Sequence, residues 1–303
     1  MRQTFGRLLL TLGVLAVSTS TAFTQGFSTS ITAPYRVVPN ITYLTANNFE
    51  AKLDVYSRTD VTTPQPTLIW IHGGGWTGGN KEGATLSLLP YMEMGWNVVN
   101  VEYRLARVSL APAAVEDCLC ALRWVIRNAK QYGFDTNKLV VSGGSAGGHL
   151  ALTTAMIPAS AGMDRQCPGA EELKVAAVVD WYGITDVADL LDGANMRTYA
   201  VQWMGSMPNR VEIARRVSPL TYVRAGLPPI ISIQGDADPV VPYSHSVRLQ
   251  EALKKAGVDG ELVTIPAGKH GGFTRAENQK AYSAIKAFLA KHGLIAGSSA
   301  NQE

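Results

Sequence analysis

Apolar residues along this chain follow two rhythms. Short, largely apolar runs recur at Thr67-Leu68-Ile69-Trp70-Ile71, Asn97 to Val101, Leu139-Val140-Val141, Val175-Ala176-Ala177-Val178-Val179, Ile230-Ile231-Ser232-Ile233 and Glu261 to Ile265. Runs of that length and β-branched content predict strands, and the continuous Thr67–Ile71 run predicts one buried on both faces, as in a parallel sheet. Between them the spacing turns helical. From Pro112 to Tyr132, Val115, Leu119, Leu122 and Ile126 recur at three or four residues, with Glu116, Arg123, Arg127 and Lys130 on other faces, and Gly133 is the expected stop. Further helices are expected from about Asn80 to Met94, from Leu150 onward, from Tyr243 to Ala256 and from Thr274 to Lys291. Near the start, Ile41 to Leu44 and Lys52 to Tyr56 alternate around Asn47-Asn48, which favours a hairpin, and Pro64 and Pro66 break structure before the first buried run.

Strands alternating with helices predict an α/β fold, a mostly parallel sheet with helices on both faces. Functional residues then gather at the carboxyl ends of the strands. The longest interruption is 183–226, where Met196, Trp203, Met204 and Met207 sit among polar residues. It reads as a small cap-like insertion over the site, not as a separate domain. No internal repeat or low-complexity block is visible.

Composition adds bounds. The 303 residues are 46% hydrophobic and 17% charged, enough for one sizeable domain. Lys and Arg number 27 against 24 Asp and Glu, and two of the cations, Arg2 and Arg7, fall in the first seven residues. So near-even a balance gives no reason to expect nucleic acid or an anionic membrane as partner. Arg2 and Arg7 precede the apolar run Leu8 to Val17 and the small-residue stretch Ser20-Thr21-Ala22, the layout of a secretory signal peptide over 1–22. A spanning helix needs about 20 apolar residues, so no stable membrane anchor is expected. The expectation is a secreted or periplasmic domain over 23–303. Cys118, Cys120 and Cys167 allow at most one internal bridge. Cys118 and Cys120 face different sides of their helix. Either is open to pairing with Cys167, as is the alternative of three unpaired thiols. No metal-binding spacing such as C-x-x-C occurs.

The candidate chemistry centres on Gly143-Gly144-Ser145-Ala146-Gly147-Gly148-His149, which follows a predicted strand and opens a predicted helix. G-x-S-x-G in that setting is the nucleophile elbow, a turn that lifts a serine hydroxyl clear of the sheet at a helix N-terminus. Serine chemistry on an acyl group needs a base, a group to orient the base, and donors for the oxyanion. His270 follows the last strand in a glycine-flanked loop. It completes the chain order Ser…Asp…His and is preferred over His72, His149, His245 and His292. His149 lies one turn past Ser145 and points along the helix. Asp238 is the chosen orienter, with Asp236, two residues away in the same loop, as its rival. Backbone amides of the Gly73-Gly74-Gly75 run and of Ala146 are the oxyanion donors. No Lys-Ser/Thr follows the glycines at the spacing a nucleotide loop requires. Trp76 and Trp181 are candidate walls of the substrate pocket.

These stretches resemble the α/β-hydrolase superfamily, specifically its HGGG-bearing serine esterase branch related to hormone-sensitive lipase. Within it the acetyl-xylan/feruloyl esterase-like group is closer still. The resemblance rests on Leu53-Asp54-Val55-Tyr56, Ile71 to Trp76, Val101 to Leu105, Gly143 to His149, Asp238 to Pro242 and His270 to Phe273. It implies an eight-stranded α/β-hydrolase sheet, a Ser145–Asp238–His270 triad, oxyanion amides at Gly74, Gly75 and Ala146, and neither cofactor nor metal. It also implies hydrolysis of short-acyl or hydroxycinnamoyl esters, free or linked to polysaccharide. The acyl pocket is expected to be open or built by 183–226. Two other readings stand beside it: a serine peptidase or amide hydrolase on the same fold, and a non-catalytic binding module. Oligomeric state is left open.

Overall fold

A computed structural model describes residues 34–295. The expected leader, 1–22, and the tail from Gly297 lie outside the described residues. No helix among the described residues is long and apolar enough to cross a membrane.

Eight strands form one sheet: β1 (Tyr35–Ala46), β2 (Phe49–Arg58), β3 (Gln65–Ile71), β4 (Asn97–Val101), β5 (Phe134–Gly144), β6 (Ala177–Trp181), β7 (Ile230–Gly235) and β8 (Gly260–Ile265). Their spatial order is β1-β2-β4-β3-β5-β6-β7-β8. β1 and β2 form the expected hairpin, with Asn47 and Asn48 both at positive φ in its turn. β2 pairs antiparallel with β4, and the remaining neighbours are parallel. From β3 the chain goes to β4 on one side and then crosses to β5 on the other. The carboxyl ends of β3 and β5 therefore flank the point where strand order reverses, the usual binding crevice of such a sheet.

The continuous apolar strands divide their side chains between two cores. Ile69, Ile71, Val99, Val101 and Val141 face one side of the sheet, and Leu68, Trp70, Val98 and Val140 the other. Helices α1 (Thr85–Glu93), α2 (Ala113–Arg127), α3 (Ala129–Tyr132), α4 (Ala146–Met156), α5 (Thr198–Met204), α6 (Arg210–Arg216), α7 (Ser244–Lys255) and α8 (Arg275–Lys291) cover both faces. α2, α4 and α7 supply Leu119, Leu150 and Leu249 to the first core. α1 and α8 supply Leu88, Tyr91, Ile285 and Phe288 to the second.

Several elements depart from the sequence reading, the first being the helix expected from about Asn80, which as α1 begins only at Thr85. The single helix expected over 112–132 breaks at Asn128, whose side-chain amide donates to the Trp124 carbonyl (2.7 Å) and competes with the helical ladder. β6 starts at Ala177, two residues later than the apolar run, because its pairing with β5 begins at Val140↔Ala177 and ends at Gly144↔Trp181. The segment between β6 and β7 carries α5, α6 and several single turns. Ala200, Trp203 and Met204 bury themselves in the first core, so it packs against the sheet's helical layer. Of the cysteine alternatives, Cys120 and Cys167 are bridged and Cys118 is unpaired and buried.

Candidate active site

Two glycine-rich turns meet at the strand-order reversal. The first leaves β3. Gly74 has φ +118°, and a Cβ there would stand 2.1 Å from the Gly78 carbonyl oxygen, so the loop can close only around glycine. The second leaves β5. Ser145 has φ 59° and ψ −122°, a strained conformation for a residue with a side chain, and it caps α4. Gly147 permits that turn: its Cβ would come within 2.1 Å of the Ile71 carbonyl at the end of β3. The Ser145 amide donates to the Trp181 carbonyl (2.8 Å), which ties the elbow to the end of β6.

Among the five histidines, His270 is the one the structure brings to the serine. Ser145 Oγ lies 2.8 Å from His270 Nε2, and His270 Nδ1 lies 2.8 Å from Asp238 Oδ2. A carboxylate can only accept, so Nδ1 carries the proton and Nε2 is left to accept from the hydroxyl. Asp238 Oδ1 accepts from the amides of Val240 (2.8 Å) and Val241 (3.0 Å). Its side chain is wholly buried. Burial pushes its pKa up, but the His270 hydrogen bond and charge, with the two amides, outweigh this and hold it below the usual value. Asp236 is exposed and accepts from the Ala267 amide (2.7 Å) at the root of the His270 loop. Geometry therefore separates the two aspartates.

The amides of Gly74 and Gly75 make no hydrogen bond to protein among the described residues. The Ala146 amide lies in the first turn of α4, where no intrahelical acceptor exists. All three belong to the two turns that meet at Ser145. A cavity of about 550 Å³ opens over Ser145 and His270, lined on one side by Gly73, Gly74 and Gly75.

The other histidines have different surroundings. His149 is fully buried. The Trp76 indole donates to its Nδ1 (3.2 Å), so Nε2 bears the proton it gives to the Val217 carbonyl (2.7 Å). Desolvation pulls its pKa down to about 3, against the weaker pull of the Val217 bond. It links the elbow helix, the residue after the glycine run, and the segment following α6. His72 is buried, stacked on Tyr103 (centroids 4.3 Å), with Nδ1 donating to the Gly73 carbonyl (2.7 Å). His245 lies within α7 and His292 just past α8.

Two expected pocket residues need correction. Trp76 does not line the cavity. It is fully buried, stacked on Trp203 (4.1 Å) and set edge-on to His149. Trp181 lines not this cavity but a smaller one adjoining it, because the alternation of β6 turns its indole into the second core beside Tyr282. The aromatic walls are Trp70, Tyr182 and Tyr199. Trp70 shows only as an apolar strand residue in sequence, and Tyr199 comes from α5 of the insertion. Tyr182 carried one usable signal: it directly follows a buried strand, at the carboxyl edge. Its φ is +44°, an outlier for a bulky residue costing on the order of 1–3 kcal/mol.

A doubly wound, mostly parallel eight-stranded sheet with the serine on a strand-to-helix elbow is the α/β-hydrolase fold. Within that class the chain belongs to the BD-FAE family, whose match runs over residues 53–253. It is similar to the "Probable carboxylic ester hydrolase LipM" of Mycobacterium tuberculosis, at 32% identity over 79% of this chain and 58% of that protein. The chain thus spans a little over half the length of that curated relative. Among solved structures it is similar to the propionate-bound Est2 esterase of Thermogutta terrifontis. The identity is 30%, the TM-score 0.71, and the coverage 88% of this chain and 97% of the other. It is also similar to a truncated carbohydrate esterase from gut microbiota. That match has 26% identity and a TM-score of 0.73, over 85% of this chain and 96% of the other.

Proposed function

We propose that this chain is an exported serine carboxylesterase acting on short-acyl esters through an acyl-enzyme on Ser145. The observation that carries this reading is the chain of hydrogen bonds from Ser145 Oγ through His270 to Asp238, at the floor of an open cavity. Ser145 Oγ attacks the acyl carbon as its proton passes to His270 Nε2. Asp238 holds the tautomer and stabilises the imidazolium. The carbonyl oxygen, now negative, faces the amides of Gly74, Gly75 and Ala146, each such donor contributing about 3–4 kcal/mol to the transition state. His270 returns the proton to the departing alkoxide. Water then repeats the sequence against the acyl-enzyme.

The substrate reading draws on the named relatives. One of them holds propionate and another is a carbohydrate esterase, which favours short acyl groups and sugar-linked esters. Acetyl or hydroxycinnamoyl esters of plant polysaccharide are the finer form of this proposal. The Cys120–Cys167 bridge supports an oxidising compartment, in keeping with the leader-like start of the sequence.

The test is a panel of p-nitrophenyl acetate, longer acyl esters, methyl ferulate and acetylated xylan. Wild type is expected to favour the short acyl groups. Ser145→Ala should lose about 10⁵–10⁶-fold in kcat. A fluorophosphonate should label Ser145 in the wild type alone. Absence of both hydrolysis and labelling would remove the esterase reading and leave a binding module. Preferential cleavage of the matching anilides would favour the amide hydrolase.

A further inference from the structure

A second, smaller cavity of about 180 Å³ adjoins the site. Trp70, Ser87 and Tyr182 line both spaces. Trp70 belongs to β3 and Ser87 to α1, and Tyr182 is the shared wall whose ring meets the His270 imidazole. Its ring centroid lies 4.7 Å from that of His270 and 6.0 Å from that of Phe273. The backbone there is held at positive φ by the Tyr182 amide, which donates to the Ile233 carbonyl (2.8 Å), while the preceding carbonyl receives the Ser145 amide (2.8 Å). The hydroxyl has no hydrogen-bond partner among the described residues, so what the strained backbone delivers is the ring itself.

The small cavity belongs to one side of the reaction. Gly271, Gly272 and Phe273, which directly follow His270, line it, and none of Gly73, Gly74 and Gly75 does. His270 protonates the leaving oxygen, while the carbonyl oxygen turns to the glycine run. The cavity therefore lies toward the alcohol half of the ester.

We propose that Tyr182 is a specificity-determining residue: its ring partitions the cleft from this cavity and so limits the size of the alcohol the site accepts. The inference rests on the ester-hydrolase reading above. Removing the ring joins the two cavities and admits a cyclic alcohol beside His270.

Ethyl acetate and cyclohexyl acetate share their acyl group, so the ratio of their kcat/KM values reads the alcohol side alone. Tyr182→Gly should raise the cyclohexyl-to-ethyl ratio by about 10-fold or more, the scale of hydrophobic pocket discrimination. Tyr182→Asn, smaller and tolerant of positive φ, should move it the same way and serves if the glycine variant folds poorly. Tyr182→Phe keeps the ring and should restore the wild-type ratio. A Gly or Asn variant that melts cooperatively and is still labelled at Ser145, yet keeps the wild-type ratio, overturns the proposal. Wild-type hydrolysis of neither acetate would instead sink the esterase reading and this inference with it.

Discussion

Two residues apart in one loop, Asp238 and Asp236 have the same chemistry and different fates. Asp238 is buried, takes two backbone amides on one oxygen and His270 on the other; Asp236 is exposed and props the Ala267 amide. Asp238→Asn should lower kcat by about 10⁴-fold, because an amide in that place selects the wrong imidazole tautomer. Asp236→Asn should lose far less, and steady-state kinetics on one ester compares them directly. His149 gives a stability prediction of the opposite kind. Its folded pKa of about 3 lies below the unfolded value of about 6.5. Between those values the unfolded chain binds the proton and the folded chain does not. Its stabilising contribution is therefore complete above about pH 6.5 and is lost as pH falls toward 3. A protonated ring would also set an N–H against the Trp76 indole N–H. Buried Asp180 works against this trend. Desolvation raises its pKa to about 6, so its contribution is full below about pH 3.8 and lost as pH rises through 6. The difference between wild type and His149→Gln isolates the histidine. The variant should melt lower at pH 7 and show a shallower fall in melting temperature between pH 7 and pH 4.

At the scale of elements, the loop from β3 to α1 is secured behind the glycines by a buried ion pair. Lys81 Nζ reaches Asp54 Oδ2 on β2 (2.9 Å), the Lys81 amide donates to Glu102 just past β4 (2.8 Å), and Asn100 on β4 donates to the Lys81 carbonyl (2.7 Å). Burial disfavours the Lys81 ammonium, but its bonds to Glu82 and Asp54 outweigh this and raise its pKa. Lys81→Met strands the Asp54 carboxylate, which should cost about 3–5 kcal/mol by urea unfolding. Lys81→Met with Asp54→Asn should recover part of that loss, since neither partner is then charged. None of this pairing was legible in the sequence, where Asp54 and Lys81 stand 27 residues apart. What was legible is local. Gly74, Gly147 and Ser145 announce themselves because each turn demands particular residues within a few positions. Asp238 and His270 were found because each follows a strand of the parallel sheet, β7 and β8, and parallel strands end on one edge. Trp76 was misjudged, and Trp181 falls on the adjoining smaller cavity and not the main one, because the side a residue takes depends on register against β5 and on Trp203, both distant in sequence. Tyr199 was missed because the place of α5 over the cavity is set by packing distant in sequence, and Tyr182 was missed although its position just past β6 marked it.

At the scale of the whole molecule, the elbow lies inside a covalent ring. The Cys120–Cys167 bridge spans a sequence separation of 47 residues, and the ring it closes runs from α2 through β5, Ser145 and α4. The same junction is fastened twice more without covalent bonds. Arg123, nearly wholly buried, donates to Asp164 Oδ2 (2.9 and 2.8 Å) and to the Cys167 carbonyl (2.5 Å). Arg127 Nε donates to Glu171 Oε1 (2.7 Å). Position and stability are therefore separable here. Ser145 is placed by strand register with β3 and β6, whereas the bridge acts mainly by restricting the unfolded chain. Cys120→Ser with Cys167→Ser should reduce stability by about 2–4 kcal/mol while kcat/KM, taken well below the melting temperature, changes less than about 3-fold. A loss beyond about 10-fold in a folded variant would show that the bridge also positions the nucleophile, against the register argument. Thiol titration checks the covalent premise: one thiol, Cys118, should react in denaturant, three after reduction, and none in the native protein, where Cys118 is buried.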